Sequence, residues 1–373
     1  MKVFFCDNSL VAFTQFRRDV VADFERRGWE VAIVVPRCTV SRQRLAMLNP
    51  SWRLFQIDAN PNGVNPVGDW KYLRQLRHIY KAERPDMIFH YTVKPNIYGT
   101  IAARSLGIKN VAMVAGLGYL FSGNSLKKRI GRMVYRMGLM QAGRVIALNE
   151  SNVTTLVKGG FVKAKNMILF QGGEGVDLGA YPYTPMDFKT VRFLMVGRVL
   201  YDKGYAEFVK AAAIVRENHP EVVFELLGQL AADHPLGVPE PVVDRDVRAA
   251  HIKYLGETND VQSYLRRDGV VMILMSRYME GLNRSLMEAC AMGRPVITTD
   301  NPGCREIVDD GVNGFIVPIG NVDALVDAIE RFLHLSLSEK QKMARASFEK
   351  AKREFSLSGV LEQYQQLTDQ TLK

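Results

Sequence analysis

The sequence predicts an α/β protein made of two successive Rossmann-like units. Short β-branched runs alternate with longer stretches of helical period, and the runs are apolar almost throughout. Such strands are typical of a parallel sheet covered by helices on both faces. The alternation breaks once, in a stretch rich in Gly, Pro and Tyr at Gln171–Lys189, and then resumes. With 373 residues, 47% of them hydrophobic, the chain is long enough for two packed cores.

Thirteen runs are strand candidates. In the first half they begin at Val3, Glu30, Leu54, Met87, Asn110, Arg144 and Met167, and in the second at Val191, Val222, Ile252, Val270, Pro295 and Gly314. Helical stretches between the early strands lie at Thr14–Arg27, Tyr72–Ala82 and Pro95–Leu106, and the chain is charged and helical from about Leu335. We therefore predict a first unit over residues 1–175, a second over 176–350, and a segment over 351–373 whose short helices cross back to the first unit.

Charge is unevenly distributed along the chain. Residues 1–180 hold 26 Lys and Arg against 12 Asp and Glu, a net charge of +14, whereas the rest holds 23 against 27, a net charge of −4. A basic half suggests an anionic partner, which could be nucleic acid, an acidic membrane or a phosphate-bearing substrate. No apolar run approaches the roughly 18 residues that cross a bilayer, and Asp7 comes too early for a secretory signal, so we expect a cytoplasmic protein.

Two motifs of the second half follow strands, where open α/β sheets bind ligands. In VGRVLYDKGY, Gly197 allows a tight turn, and Arg198 and Lys203 could both meet a diphosphate, although they could equally be solvated surface charges. In SRYMEGLNRSLMEA, a helix is expected to begin near Asn283 or Arg284 after a loop that carries Glu280 and Gly281. Its amino end favours a phosphate or sugar hydroxyls, and a carboxylate such as Glu288 accepts hydrogen bonds from a ribose diol.

These residues, with the strings GRPVITTDNPGCRE and DGVNGFIVP, resemble the donor domain of glycosyltransferase family 4. HYTVKPNIYG from His90, the GLG of Gly116–Gly118 and LNES from Leu148 resemble the branch that builds capsules, O-antigens and N-glycans on undecaprenyl diphosphate. The resemblance covers nearly the whole chain. It implies the GT-B fold, in which two Rossmann-like domains face a central cleft. It further implies retaining transfer, without a metal or other cofactor, of a sugar such as an N-acetylhexosamine. The donor would be a UDP-sugar and the acceptor an undecaprenyl-diphosphate-linked saccharide, at the inner face of a bacterial membrane.

The resemblance also assigns roles. Arg198 and Lys203 would hold the donor diphosphate, Glu280 the donor sugar, and Glu288 the ribose, while the base would lie near Gly256 and Glu257. The candidate residues are Arg198, Lys203 and Glu280 for catalysis; Gly197, Gly256, Glu257, Gly281, Leu282, Asn283 and Glu288 for the donor; and His90, Lys94, Asn96, Gly116 and Gly118 for the acceptor. His90 could instead be a structural histidine of the core. The chain departs from the family at CDNSLVAF, where many members have paired glycines, and at Glu174, where many have Ser.

A basic helical stretch begins at Leu126. Lys128, Arg132 and Arg136 form one stripe, and Ile130, Met133, Val134 and Met137 form a neighbouring one, which suits a helix at a lipid headgroup boundary. The alternative is an ordinary helix packed on its sheet with its basic face in water.

Other functions share parts of these patterns. A GT-B epimerase or phosphorylase would keep the fold and change the reaction. A nucleic-acid-binding protein would explain the pI of about 9.4, but the sequence has no zinc spacing or RNA-stacking motif. A dinucleotide oxidoreductase would also have Rossmann units, but no G-x-G-x-x-G follows the first strand.

Overall fold

The chain folds into two compact units in the computed structural model, which describes residues 1–61, 65–121, 123, 125–231, 233–279 and 281–373 and, of Tyr119, only the backbone. Unit 1 consists of Met1–Gly173 and Val360–Lys373, and unit 2 of Glu174–Gly359. Each unit contains one parallel sheet flanked by helices. The predicted pair of Rossmann-like α/β units is therefore confirmed.

The sheet of unit 1 has seven strands in the order β3-β2-β1-β4-β5-β6-β7, and every neighbouring pair is parallel. The strands are β1 Lys2–Cys6, β2 Glu30–Pro36, β3 Arg53–Ile57, β4 Met87–Tyr91, β5 Lys109–Val114, β6 Arg144–Ala147 and β7 Met167–Leu169. The first six follow the doubly wound order, with the chain reversing direction between β1 and β4.

Helices cover both faces of this sheet. They are α1 Leu10–Phe16, α2 Arg18–Arg26, α3 Arg42–Leu45, α4 Pro66–Glu83, α5 Thr100–Ser105, α6 Gly118–Phe121, α7 Leu126–Leu139 and α8 Glu150–Lys158. Because successive side chains of a strand point to opposite faces, Val3 and Phe5 join one apolar cluster and Phe4 and Cys6 join the other. This two-sided burial is why the strands read as continuous apolar runs.

The predicted helix over 14–27 is wrong in one respect, because two helices meet there at Arg17. The Arg17 side chain is buried, with Nε 3.8 Å from Oδ2 of Asp7 and its guanidinium 4.2 Å from the centre of the Tyr91 ring. A buried guanidinium needs such partners, and the break between α1 and α2 lets the side chain reach them. The stretch predicted as a helix over 95–106 is a π-helical turn at Pro95–Gly99 followed by α5.

Unit 2 has a six-stranded parallel sheet in the order β10-β9-β8-β11-β12-β13. Its strands are β8 Arg192–Val196, β9 Val223–Leu227, β10 Lys253–Tyr254, β11 Val270–Leu274, β12 Val296–Thr299 and β13 Gly314–Val317. Its helices are α9 Tyr205–Asn218, α10 Glu240–Ala249, α11 Val261–Leu265, α12 Arg284–Ala291, α13 Val322–His334 and α14 Leu337–Glu354. All thirteen predicted strands are thus confirmed. The stretch between β7 and β8 contains no helix or strand, as its composition predicted.

The chain ends in long helices, not in the short ones that the sequence suggested. Helix α14 has 18 residues, and the final helix, α15 Leu357–Leu372, has 16. From Val360 onward α15 belongs to unit 1, where Tyr364 packs against the rings of Phe89 and Phe170 and its hydroxyl lies 3.1 Å from that of Tyr91. The end of the chain is therefore part of the core of unit 1.

His90 is fully buried on β4, with Nε2 3.2 Å from the hydroxyl of Tyr80. Burial lowers the pKa of His90 from 6.5 to about 3, so the imidazole is neutral in the folded protein. Below pH 6.5 the unfolded chain binds a proton that the folded chain does not, and stability falls as the pH falls.

We expect the free energy of unfolding of unit 1 to drop by about 2 kcal/mol between pH 7.5 and pH 5 through His90 alone. The His90→Gln variant should lose this share of the pH dependence, whereas replacement of the exposed His78 of α4 should retain it. Urea unfolding followed by tryptophan fluorescence measures this, because Trp29, Trp52 and Trp70 all lie in unit 1. Equal pH dependence in the wild type and in His90→Gln would contradict the prediction.

Candidate active site

Two loops meet at the carboxyl edge of the unit 2 sheet, at the point where its strand order reverses. One follows β8 and the other follows its neighbour β11. The backbone N–H of Arg277 in the second loop donates to the carbonyl of Asp202 in the first, at 2.8 Å. The ammonium of Lys203 lies 5.6 Å from the centre of the Tyr278 ring. The sheet topology thus brings together the two motifs that the sequence analysis selected.

Gly204 sets the position of Lys203. It begins α9 with a φ of 87°, and a Cβ placed on it would lie 2.3 Å from Cβ of Met275 and 2.5 Å from its carbonyl oxygen. Only glycine fits so close to the end of β11. Lys203 immediately precedes it in a 3₁₀ turn at Tyr201–Lys203 and is half-buried. A further contact between the two regions is the ion pair of Arg277 with Glu207 on α9.

Three glycines follow three adjacent strands at the same edge. Gly197, Gly228 and Gly256 come after β8, β9 and β10; the N–H of Gly197 donates to Leu227 O at 3.0 Å, and that of Gly228 to Gly256 O at 2.8 Å. A Cβ on Gly228 would meet the carbonyl oxygen of Gly197, whereas Gly197 and Gly256 have open space where a side chain would be. The result is an edge of bare backbone that a flat or charged ligand can approach closely. Gly228 was not among the predicted residues.

The two predicted cations differ in their surroundings. Arg198 is exposed, and no described residue pairs with its guanidinium; Lys203 is half-buried beside Tyr278. Glu257, expected near the base, is also exposed. Glu280, the third predicted catalytic residue, lies outside the described residues.

Helix α12 begins as predicted. Asn283 is its N-cap, and Oδ1 of Asn283 accepts hydrogen bonds from the backbone of Leu286 at 3.2 Å and from the Ser285 hydroxyl at 2.8 Å. The backbone N–H of Asn283 donates to Gly303 O at 2.8 Å. Of these three donor-site candidates, Gly281 and Asn283 are buried inside the loop, and Leu282 is half-buried at its surface.

Glu288 has protein partners that the sequence analysis missed. Nε of Arg284, one turn earlier on α12, donates to Oε1 of Glu288 at 2.8 Å, and Tyr181 lies close enough for its hydroxyl to interact with this carboxylate. Burial, and then the charge of Glu288, raise the pKa of Tyr181 well above its ordinary value, so the hydroxyl remains a proton donor. Burial alone would lower the pKa of Arg284. The carboxylates of Glu288 and Glu174 raise the pKa by more than burial lowers it, so the pKa lies above its ordinary value.

The sequence predicts the Arg284 partner of Glu288 better than it predicts Tyr181. The i, i+4 spacing of Arg284 and Glu288 on a helix is a recognisable ion-pair pattern. Tyr181 lies in the irregular stretch before β8, and no spacing relates it to α12. Glu174, noted as a departure from the family, is also close enough to act on Arg284.

The acceptor-side candidates of unit 1 are not gathered at one surface. Asn96 is buried like His90, and its Nδ2 donates to Met113 O at 2.8 Å and to the Tyr135 hydroxyl at 3.2 Å. These placements favour structural roles for His90 and Asn96. Lys94 forms a 2.8 Å ion pair with Asp69 and donates to Asn60 O at 2.9 Å. Gly116 is half-buried, and Gly118 opens α6 with a φ of 50°.

The predicted cationic stripe of α7 is only partly at the surface. Arg136 is exposed, but Lys128 is half-buried, and Arg132 donates to the carbonyl oxygens of Leu120 and Gly123 at 3.1 and 3.0 Å. Arg132 thus stabilises the segment before α7. None of the helices in the described ranges is both long enough and apolar enough to cross a membrane.

The fold of the chain is similar to that of a solved structure. The structure of sucrose-phosphate synthase from Thermosynechococcus elongatus superimposes with a TM-score of 0.82, at 17% identity and over 99% of each chain. That likeness establishes the architecture of two Rossmann-like domains known as GT-B. The chain therefore has the GT-B fold.

The family follows from the sequence. Residues 14–170 match the model of the glycosyl transferase 4-like domain, and residues 186–353 match that of glycosyl transferases group 1, so the two matches together cover most of the chain. The chain therefore belongs to glycosyltransferase family 4, as its motifs suggested.

Two relatives are similar over most of their length. The UDP-Gal:alpha-D-GlcNAc-diphosphoundecaprenol alpha-1,3-galactosyltransferase of Escherichia coli is 24% identical over 79% of this chain and 78% of its own. The N,N'-diacetylbacillosaminyl-diphospho-undecaprenol alpha-1,3-N-acetylgalactosaminyltransferase of Campylobacter jejuni is 23% identical over 89% of each.

Replacing Gly204 tests how the Lys203 loop is positioned. Gly204→Ala combines a strained φ with a clash against Met275 and should cost about 3 kcal/mol, whereas Gly311→Ala, at a φ of 74° but in open space, should cost about 1 kcal/mol. Hydrogen exchange of the β8 and β11 amides measures both values. Equal costs would show that the close approach to Met275 does not constrain this loop.

Proposed function

We propose that this protein is a retaining glycosyltransferase that transfers a sugar from a UDP-sugar to an undecaprenyl-diphosphate-linked saccharide. The transferred sugar is an N-acetylhexosamine, and the product contributes to a bacterial surface polysaccharide or a glycoprotein glycan. The observation that carries the proposal is the meeting of the β8 and β11 loops, which places Lys203 beside the loop that leads into α12. The names of the two relatives support the undecaprenyl-linked acceptor.

Phosphate recognition falls to Arg198 and Lys203. As the bond between the sugar and the diphosphate breaks, negative charge grows on the leaving UDP, and nearby cations stabilise that charge more in the transition state than in the ground state. Arg198 is exposed with no described partner and can turn toward the phosphates, while Lys203 is held in place by Gly204. The two cations supply the charge stabilisation, and the proposed reaction uses no metal or other cofactor.

The nucleoside would lie between α12 and the glycine edge. The Glu288 carboxylate accepts hydrogen bonds from the ribose diol, and Arg284 and Tyr181 orient that carboxylate from the protein side. The base approaches the bare backbone of Gly197, Gly228 and Gly256, with Glu257 at its margin. The E. coli relative, whose name specifies a UDP-sugar donor, supports uracil as the base.

Sugar recognition is assigned to the residues before α12. Glu280 contacts the donor sugar, and the backbone of Gly281, Leu282 and Asn283 borders it. The N-acetylhexosamine follows from the C. jejuni relative, whose name specifies N-acetylgalactosaminyl transfer. Retention of anomeric configuration follows from the family resemblance.

The acceptor implies a membrane location. An undecaprenyl chain is embedded in the bilayer, so the enzyme works as a peripheral protein at the cytoplasmic face of the membrane. The positive charge of residues 1–180 and the exposed side of α7 support attraction to anionic lipid. In unit 1, Lys94, Gly116 and Gly118 remain the acceptor-side candidates.

A donor screen tests the proposed reaction directly. The full-length protein is incubated with UDP- and GDP-sugars and a short-chain polyprenyl-diphosphate saccharide, and the products are identified by mass spectrometry. The expected product is the acceptor extended by one N-acetylhexosamine, with the anomeric configuration of the donor retained. Turnover of the donor without acceptor would instead indicate an epimerase, and phosphate-dependent cleavage a phosphorylase.

Removal of the cations should reduce catalysis. We expect Arg198→Ala and Lys203→Ala each to lower kcat by roughly 10²–10³, by analogy with loss of one group that stabilises developing negative charge. Lys210→Ala, an exposed change on α9, serves as the control and should retain wild-type turnover. Steady-state assays with the donor found in the screen measure these effects. Unchanged turnover in either cation variant would remove that residue from the mechanism.

Removal of one hydroxyl should weaken donor binding selectively. Tyr181→Phe removes the hydroxyl that interacts with the Glu288 carboxylate, and we expect the donor KM to rise about tenfold while kcat stays within about twofold. Tyr183→Phe, in the same stretch, is the matched control, since its ring packs against Phe348. If kcat falls and KM does not, Tyr181 acts in the chemical step and not through the ribose.

A further inference from the structure

Helix α7 presents an apolar ridge to solvent. We define the α7 ridge as five side chains that recur every three or four residues along one side of this helix and its C-cap residue, Met140, and are each more than half exposed: Leu126, Ile130, Met133, Met137 and Met140. The opposite side, with Tyr135, Gly138 and Leu139, is buried in unit 1. Because the ridge is exposed along the whole helix, it is not explained by packing within unit 1.

Cations border the ridge. Lys127, Arg129 and Arg136 are exposed, and at about 100° per residue they fall on its two margins. This arrangement differs from the predicted one, in which Lys128 and Arg132 shared the outer face. An apolar strip with basic margins is the pattern of a helix that lies in the headgroup region of a bilayer.

A basic cavity lies at the end of the ridge. It has a volume of about 540 Å³, and Leu139 and Met140 form part of its wall, so Met140 belongs to both features. Four exposed cations from α5, β5 and the segment after α8 also line it: Arg104, Lys109, Lys163 and Lys165. Among the described residues that line it, none is acidic.

The surrounding sequence is strongly basic. Residues 87–173, from β4 to the end of β7 and the turn after it, contain twelve Lys and Arg and one acidic residue, Glu150. Within the part of the chain that the structure describes, Lys163 and Lys165 have no ion-pair partner. Unneutralised cations around a cavity of this size favour a phosphate-bearing group.

We propose that this cavity binds the phosphate headgroup of an anionic phospholipid while the α7 ridge inserts into the same leaflet. The proposal rests on the membrane association proposed above and extends it to a defined lipid site. The ridge and the cavity meet at Met140, and a phospholipid carries an apolar chain and an anionic phosphate in one molecule. A nucleic acid would satisfy the cations but would leave the apolar ridge uncovered.

Vesicle flotation at low salt tests the proposal with three lipid compositions. Phosphatidylcholine vesicles are compared with vesicles that also contain phosphatidylglycerol, and with vesicles given the same surface charge by oleate, which has a carboxylate in place of the phosphate. We expect the wild type to bind the phosphatidylglycerol vesicles more tightly than the oleate vesicles. Equal binding to both would show that only charge density matters and would overturn the headgroup site.

Matched variants locate the two contacts. The double variant K163Q/K165Q should bind phosphatidylglycerol vesicles about tenfold more weakly than the wild type does. It should bind the phosphatidylglycerol vesicles and the oleate vesicles equally. The control K71Q/K81Q removes two exposed lysines from α4 and should change binding less than about twofold. M133S/M137S should weaken binding to both vesicle types, unlike the control L45S/M47S at and just after the end of α3. If the two lysine variants lose binding equally, the cavity is not the site.

Further readouts separate this proposal from the proposed function. Sugar transfer to a water-soluble acceptor should be unchanged in K163Q/K165Q, and thermal unfolding midpoints should show that all variants fold. If the wild-type protein transfers no sugar, the glycosyltransferase reaction is refuted, but the proposal of the lipid site is not affected. The lipid site would also be refuted if flotation were unaffected by replacement of Lys163 and Lys165 while these lysines were needed for tight binding of another anion. Inorganic phosphate as that anion would assign the cavity to a soluble ligand, and an oligonucleotide would assign it to nucleic acid.

Discussion

The candidate site of unit 2 depends on one constraint, the close backbone contact between the loops that follow β8 and β11. In a doubly wound sheet the chain leaves these neighbouring strands in opposite directions, so a crevice opens between their loops. Here the crevice has fixed walls, because Arg277 donates to the Asp202 carbonyl and Gly204 packs directly on Met275. Lys203 is therefore positioned before any ligand arrives, and a positioned charge stabilises a transition state without the cost of rearrangement.

Much of this architecture was readable in the sequence. Strands buried on both faces must be apolar throughout, which is why all thirteen could be located. The rule that ligands bind beyond the strand ends selected two loops that the structure brings together. The start of α12 near Asn283 or Arg284 was also predicted, and Asn283 is its N-cap. Local patterns therefore sufficed wherever a local physical requirement determined the structure.

Other features depended on tertiary contacts and could not be predicted. Tyr181 reaches Glu288 because the irregular stretch before β8 packs against α12, a contact that no local pattern encodes. The periodicity of α7 showed which residues share a side but not which side is buried, so Lys128 and Arg132 were placed outward although Arg132 bonds to backbone carbonyls. In the same way, His90 begins the motif HYTVKPNIYG, which resembles a functional one, but its ring is enclosed by Tyr80 and Gly99.

Helix α15 has a consequence for anyone who wishes to exchange modules between such enzymes. It starts in unit 2 and ends in unit 1, where Tyr364 fills the space beside Phe89 and Phe170. A fragment of residues 1–173 alone would leave these rings uncovered. Grafting a foreign unit 2 by a single splice would replace the native end of α15 with one that does not match the core of unit 1. A chimera with an intact unit 1 needs two crossover points, one near Gly173 and a second within α15 near Val360.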